Sequence, residues 1–293
     1  MMRILILFAS CVLVAFARVE VQSVQKCESA RAQLEYAGKR KLDLRGTRGK
    51  DREAARERAV VAYRAVHYHF PRELAARAEA AFRAGELLRA GKRAKEARLS
   101  FEDAAQLGAG TEYRARGWLQ VGHGYRRAHR MIDALGAYEK VALDPDAAPR
   151  HRDRALLWRA RLQARLCRGK EARASWERVA RKGFDSFDRI EAFDSWALHL
   201  IEHDDLEGAA GVLALCGELL AERLLEETRT GDRLRKVHAK MRSVPRLKSA
   251  VEARRKSRRE TARMPSRGVI RVLEGREHSA TRRVAPHLSI GVR

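Results

Sequence analysis

One segment of the sequence has the spacing of a metal-binding catalytic helix. His199, Glu202 and His203 fit the pattern H-x-x-E-H, in which two histidines one helical turn apart hold a zinc ion and the glutamate activates a water molecule. The segment stops at Asp204 and Asp205, and no later helix offers a third ligand in an apolar setting. We therefore expect a solvated helix end here, and an exported zinc peptidase is kept as an alternative.

Other residues with catalytic potential do not form a recognisable site. His67 and His69 are two positions apart, and side chains at that spacing do not share a helix face. The sequence contains no nucleophile elbow, no Ser/His/Asp order and no pair of carboxylates in a catalytic frame. We therefore expect a protein that is not an enzyme and that uses no metal, no cofactor and no small-molecule substrate.

A glycine pair, Gly122 and Gly124, flanks His123 and raises the question of phosphate binding. A loop that cradles a phosphate needs a strand before it, a helix N-terminus after it, and further glycines or a Lys-Ser/Thr pair. Here, apolar and small residues recur three and four positions apart on both sides, and Pro145 closes the segment. Residues 118–145 therefore predict two amphipathic helices followed by a stop.

The second of these helices carries a signature that recurs along the chain: an alanine, a large residue four positions later and an apolar residue after three more. The instances are Ala59, Tyr63 and Val66; Ala97, Phe101 and Ala104; Ala134, Tyr138 and Val141; Ala172, Trp176 and Val179; and Ala209, Leu213 and Cys216. The leading alanines are 38, 37, 38 and 37 residues apart, which indicates a repeat. Glycine, proline and strand-like alternation are sparse between 51 and 230, which indicates an all-helical fold.

A small residue stands twelve positions before each of the last four leading alanines. These residues are Gly85, Gly122, Ala160 and Ala197. Two helices can approach closely only where no bulky side chain lies between their backbones. The spacing therefore predicts that Gly122 is a packing residue, while it gives no role to Gly124.

These residues resemble the tetratricopeptide repeat (TPR) family. The unit from Ala115 matches its pattern through Trp118, Val121, Gly122, Tyr125, Ala134, Tyr138, Val141 and Pro145. The resemblance covers roughly residues 50–230 after a degenerate first helix in 18–49, and it implies an all-α, right-handed solenoid of four to five antiparallel helix pairs. The repeat of 37 or 38 residues, instead of 34, implies longer turns between repeats.

The resemblance also implies a binding surface, because first helices line a concave groove in this family. In the middle units that face carries Arg116, His123, Arg126, Arg154, Trp158, Arg161 and Arg165, together with Leu119, Gln120 and Leu157. Guanidinium groups suit carboxylates, but Leu119 and His123 stand where some members use polar residues to clamp a peptide C-terminus. We therefore expect a non-catalytic scaffold that binds acidic protein or peptide segments in general.

The positive charge of the chain is concentrated near its end. Residues 231–293 hold 19 Lys and Arg against 5 Asp and Glu, a net of +14 out of +24 for the whole chain. We expect a basic tail with a short capping helix around Leu234, Val237 and Met241, a charged helix over Lys248–Arg263 and a disordered end from residue 264. An alternative function is nucleic-acid or anionic-surface binding through this tail, although 231–293 contains no aromatic residue for base stacking.

The first 17 residues have the pattern of a signal peptide. After MMR come fourteen uncharged residues that end in Ala15, Phe16 and Ala17, a small-aromatic-small cleavage pattern. We expect export to the periplasm or cell envelope, and an uncleaved membrane anchor is the alternative. Beyond this segment, Cys27, Cys167 and Cys216 show no C-x-x-C spacing, so no structural disulfide is expected.

Overall fold

The computed structural model describes residue 21, residues 23–226 and residues 246–260. The predicted signal peptide 1–17, the predicted capping stripe at Leu234, Val237 and Met241, and the end of the tail lie outside the described residues. None of the described helices is both long and apolar enough to span a lipid bilayer.

The described residues form helices joined by short connections and contain no strand, as the sequence predicted. In chain order the helices are α1 Ala30–Leu42, α2 Gly49–His69, α3 Leu74–Ala90, α4 Ala94–Leu107, α5 Glu112–Arg127, α6 Met131–Ala142, α7 Pro149–Arg165, α8 Gly169–Lys182, α9 Ser186–Glu202, α10 Leu206–Glu226 and α11 246–260. The connections from one pair to the next are short, and the longest, between α6 and α7, has six residues. The expectation of longer turns between repeats is therefore met only there, because most of each unit is helix.

Helices α1 to α10 pack as five successive pairs, each helix against the next in the chain. The backbones of first helices in neighbouring pairs also lie close together, whereas within the described residues the backbones of second helices lie further apart. Side chains still link second helices, as in the ion pair of Arg64 with Glu96 at 3.5 Å. The first helices therefore form the inner layer of a curved array and the second helices the outer layer. This arrangement is a TPR-like solenoid, and its core contains all five leading alanines of the repeat, which are almost completely buried.

The turn between the two helices of a pair is the same in the last four pairs. Its left-handed residue lies five positions before the leading alanine in each case: Lys92, His129, Cys167 and Asp204, with φ between 58° and 66°. The N–H of the next residue donates to the carbonyl oxygen five positions earlier, at 2.8–2.9 Å. This turn satisfies carbonyl groups at the end of the first helix and sets the direction of the second helix.

Close packing within a pair depends on the small residue of the first helix. A Cβ atom added at Gly122 would lie 2.5 Å from the Tyr138 ring, and one added at Gly85 would lie 2.8 Å from the Phe101 ring. The prediction that these are packing glycines is confirmed, because the aromatic residue of the signature occupies the space that a side chain would need. Gly117, which sequence reasoning missed, does the same between pairs: its Cβ would lie 2.7 Å from the carbonyl oxygen of Phe101.

Helix α11 covers the end of the array. Val251 is 1% exposed and belongs to the same buried cluster as Leu213 and Leu219 of α10. Arg254 donates to the carbonyl oxygen of Ile201 at 3.1 Å, and other arginines of α11 pair with Glu207 and Asp204. Positive charges of the basic tail are thus held against the solenoid in this segment.

Candidate partner-binding groove

The residues predicted to bind a partner lie on two neighbouring helices of the inner layer. Helix α5 carries Arg116, His123 and Arg126, and α7 carries Arg154, Trp158, Arg161 and Arg165. Since α5 and α7 contact each other, the repeat register brings side chains from both helices to one surface.

Trp158 is the centre of this surface and is half-buried. The guanidinium carbon of Arg126 lies 4.4 Å from the centroid of its ring, and that of Arg161 lies 4.9 Å away. The His123 ring meets the indole edge-on, with 5.2 Å between centroids. These four predicted residues therefore form one cluster, and the cation–π contacts hold both guanidinium groups beside the aromatic ring.

His123 contributes a neutral ring to this cluster instead of a positive charge. Burial, together with repulsion from Arg126, Arg127 and Arg154, lowers the pKa of His123 to about 4. Its Nδ1 lies 2.7 Å from the hydroxyl oxygen of Tyr138, whose pKa burial raises to about 12. His123 therefore positions Tyr138 and Trp158 and does not attract an acidic partner at neutral pH.

Several of the predicted arginines are already neutralised by carboxylates of this chain. Arg154 lies 2.8 Å from Asp188 and 3.4 Å from Glu191, and Arg161 lies 3.4 Å from Glu191. These pairs join α7 to α9 across a single repeat. Burial raises the pKa of Asp188 to about 6, and the positive charge of Arg154 opposes that rise.

Arg116 also has partners within the chain. It forms an ion pair with Glu112 at 3.0 Å, and its guanidinium carbon lies 4.3 Å from the centroid of the Phe82 ring. Among the described residues, Arg126 and Arg165 form no ion pair. The positive charge available to a partner is therefore smaller than the sequence alone suggested, and it is concentrated at these two side chains.

A cleft of about 360 Å³ opens beside Trp158, between α7 and α9. We call it the Trp158 cleft, and it is lined by Arg126, Trp158, Arg161, Leu162, Ala164, Arg165, Trp176, Ser195, Leu198, His199, Glu202 and His203. Leu198 is 41% exposed, so the cleft offers an apolar contact beside the aromatic one. The cleft therefore combines two unpaired arginines with an indole and a leucine.

The H-x-x-E-H segment lies at one end of this cleft without the geometry of a metal site. The His199 and His203 rings pack together with 4.1 Å between centroids, and His203 Nδ1 lies 3.1 Å from the carbonyl oxygen of His199. His199 also contacts the Trp176 ring at 5.4 Å. Across the described residues, no three His, Cys, Asp or Glu side chains are placed to hold a metal ion. The zinc-peptidase alternative therefore gains no support from this arrangement.

Comparison with known proteins gives a structural match but no sequence match. No protein-family model and no curated protein matches the sequence. Two structures of a kinesin light chain from Podosopora anserina with nearly identical TPR-like repeats each share 16% identity with this chain. One alignment covers 66% of this chain and 95% of the other, with a TM-score of 0.45; the second covers 70% and 100%, with a TM-score of 0.46. The structure of BtubC (BKLC) from P. vanneervenii covers 82% of this chain and 97% of its own, at 18% identity and a TM-score of 0.51. The chain has a TPR-like repeat fold.

The TPR-like register explains what the sequence placed correctly in the groove and what it did not. Leu119 and Leu157, which were expected on the groove face, are buried instead in the apolar core, at 6% and 0% exposure. Ser195 and Leu198 line the cleft but were missed. They occupy the same repeat positions as Trp158 and Arg161, so extending the register by one unit could have found them.

Proposed function

We propose that this protein is a non-catalytic interaction scaffold that binds an acidic segment of a partner protein in the Trp158 cleft. The observation that carries the proposal is the Trp158 ring with the guanidinium carbons of Arg126 and Arg161 at 4.4 and 4.9 Å from its centroid, in a cleft that also holds the exposed Leu198. A solenoid with one continuous inner layer also suits the binding of an extended segment.

Each side chain of the cleft has a separate role in this proposal. Arg126 and Arg165 supply the charge, because no described carboxylate pairs with them. Trp158 and Leu198 supply apolar contact, so the preferred segment carries an apolar residue next to an acidic one. Arg154 and Arg161 act inside the protein, since their bonds to Asp188 and Glu191 fix the distance between α7 and α9.

We place this activity in the periplasm or cell envelope, on the basis of the signal-like residues 1–17. The basic residues of 231–293 would add weak, salt-sensitive attraction to anionic surfaces, but those of α11 that pair with Glu207 and Asp204 are less available for it. Fractionation of the native cells, with mass analysis of the mature N-terminus, tests the location and the cleavage.

A charge-matched pair of variants tests the cleft. The Arg126→Gln, Arg165→Gln double variant removes the two guanidinium groups that form no ion pair. We expect it to bind an acidic, leucine-containing peptide, or a partner protein isolated with the wild type, at least about tenfold more weakly. The control is Arg31→Gln with Arg181→Gln, which changes the net charge equally at exposed arginines on α1 and α8. Equal losses in both double variants would show that only overall charge matters, and the proposal would fail.

A further inference from the structure

A second pocket lies outside the Trp158 cleft, at the turns that close the second and third helix pairs. We call it the Gly124 pocket; it has a volume of about 490 Å³, and its lining includes Arg89, Lys95, Phe101, Gln120, Tyr125 and Arg127. Of the residues that the sequence placed on the groove face, Gln120 alone belongs to its lining. The volume falls in the range of small-molecule sites in proteins, which is roughly 300–1,000 Å³.

The pocket exists because one repeat lacks a side chain that the others have. Gly124 lies ten positions before its leading alanine, and the same register position is Leu87, Leu162 and His199 in the neighbouring units. Leu87 and Leu162 are 4% and 1% exposed, so their side chains fill the corresponding space. A Cβ atom at Gly124 would have no neighbour closer than Arg98 at 3.9 Å. A glycine inside a helix is less favourable than alanine, and packing between helices does not require this one.

The charge around the pocket is positive and largely uncompensated. Arg98 pairs with Glu102 at 2.6 Å and Arg130 with Asp133 at 2.7 Å. Arg89, Lys95 and Arg127 form no ion pair with any described residue; Arg89 donates only to the amide oxygen of Gln120, at 2.7 Å. No carboxylate lines the pocket itself.

The guanidinium groups near the pocket repel one another. Burial, followed by repulsion from Arg89 and Arg126, lowers the pKa of Arg127. An anion placed among these side chains would relieve that repulsion and accept hydrogen bonds from the arginines.

The wall of the pocket is apolar and aromatic. Ala97 and Phe101 are buried behind it, and Tyr125 is half-buried. The guanidinium groups of Arg98 and Arg130 lie 4.9 and 4.7 Å from the centroid of the Tyr125 ring, which keeps that ring in place. A ligand that only carried charge would leave this wall uncovered.

We infer that the Gly124 pocket binds a small amphiphilic anion, with an oxyanion group among Arg89, Lys95 and Arg127 and an apolar body against Phe101 and Tyr125. The inference does not rest on the proposed peptide-binding function, because the pocket and the Trp158 cleft share no lining residue. A carboxylate and a phosphate monoester carry the same head-group chemistry for arginine, so both belong to the class.

Calorimetric titration of the full chain with decanoate, decyl phosphate, decanol and inorganic phosphate tests this class of ligand. Decanoate and decyl phosphate are kept below their micelle concentrations, and decanol is kept below its solubility limit. We expect saturable binding of decanoate, decyl phosphate or both, and at least about tenfold weaker binding of decanol and of inorganic phosphate. Whichever of decanoate and decyl phosphate binds with the lower Kd shows whether the pocket prefers a carboxylate or a phosphate head group. Equal binding of decanol would remove the role of the arginines, and equal binding of inorganic phosphate would remove that of the apolar wall; either result overturns the inference.

Two variants locate the site. Gly124→Leu places in this unit the side chain that the neighbouring units carry, and we expect it to abolish binding while the unfolding temperature stays the same or rises. Arg89→Gln with Arg127→Gln should weaken binding at least about tenfold, whereas Arg31→Gln with Arg181→Gln should not change it. Binding that persists in Gly124→Leu, or that both arginine pairs weaken equally, would show nonspecific attraction to a basic surface and would overturn the inference. Loss of peptide binding in the Arg126→Gln, Arg165→Gln variant is a separate result, so failures of the two proposals are distinguishable.

Discussion

His123 illustrates how burial changes the role of a single side chain. Its position in the inner layer suggested a cation for an acidic partner, yet its ring is enclosed by Tyr138 and Trp158 and lies close to several arginines. The neutral imidazole is therefore the form compatible with the folded protein near pH 7. Protonation would place one more positive charge in a cluster that already repels it.

This gives a pH dependence with a definite sign. The pKa of His123 is lowered from 6.5 to about 4, so its contribution to stability is complete above 6.5 and is lost as the pH falls toward 4. We expect the stability difference between wild type and His123→Asn to shrink by about 2 kcal/mol between pH 7 and about pH 4.5, measured by urea unfolding. His67, whose pKa is also lowered to about 4, is present in both proteins and cancels.

His129→Asn is the control, because His129 is exposed at the turn between α5 and α6. The stability of this variant relative to wild type over the same pH range is the baseline for the comparison. A difference for His123→Asn that changes no more than this baseline would mean that the ring is not enclosed as described.

Within a helix pair, the contact between a small residue and a large one sets how closely the helices approach. Gly122 faces the Tyr138 ring, which is completely buried and whose hydroxyl group lies 2.7 Å from His123 Nδ1. The ring therefore has little freedom to move away from an added methyl group. The αL turn at His129 adds a second constraint, because it fixes the relative direction of α5 and α6.

Substituting two glycines of this pair by alanine should change stability in opposite directions. Gly122→Ala places a Cβ atom 2.5 Å from Tyr138 and should lower the free energy of unfolding by about 1–3 kcal/mol. Gly136→Ala, on the exposed side of α6 with no atom within 4 Å, should raise it by about 0.5–1 kcal/mol. Chemical denaturation of both variants measures the difference. A neutral Gly122→Ala would show that α5 and α6 can separate at no cost.

Across the whole molecule, the repeat register determines what could be predicted from the sequence. The spacing of the leading alanines predicted the helix pairs, and the small residues twelve positions earlier predicted that Gly122 packs against the second helix of its pair. The ion pairs of Arg154 and Arg161 could not be predicted in this way, since Asp188 and Glu191 lie on another unit and depend on how two units stack. Arg126 and Arg165 stand out only after those pairs are known.

The end of the array was the other limit of prediction. Val251 lies in a strongly charged segment with few apolar residues, so no periodic pattern indicated that α11 would dock. Its burial depends on the apolar surface that the last helix pair leaves uncovered. A terminal unit of a solenoid requires such a cover, because its outer face has no next repeat.

This dependence predicts a local effect of removing the cover. Val251→Asp buries a charge against α10 and should destabilise the last helix pair by more than about 2 kcal/mol. Hydrogen exchange of the full chain should become faster in α9 and α10 and remain unchanged in α3 and α4, because each unit contacts only its neighbours. Ala253→Asp, at an exposed position of α11, is the matched control. Unchanged exchange in Val251→Asp would show that α11 does not stabilise the array.

In the described residues, first helices of neighbouring pairs lie closer together than second helices do, and this difference has a mechanical consequence. When such an array bends, its inner layer is already in close contact and resists compression, whereas the second helices are joined by side-chain links such as the Arg64–Glu96 ion pair and can separate more easily. We therefore expect the solenoid to bend elastically, with most of the elastic energy stored in the closely packed first helices. A pulling force applied at its ends would first straighten the superhelix and then release its helix pairs one at a time.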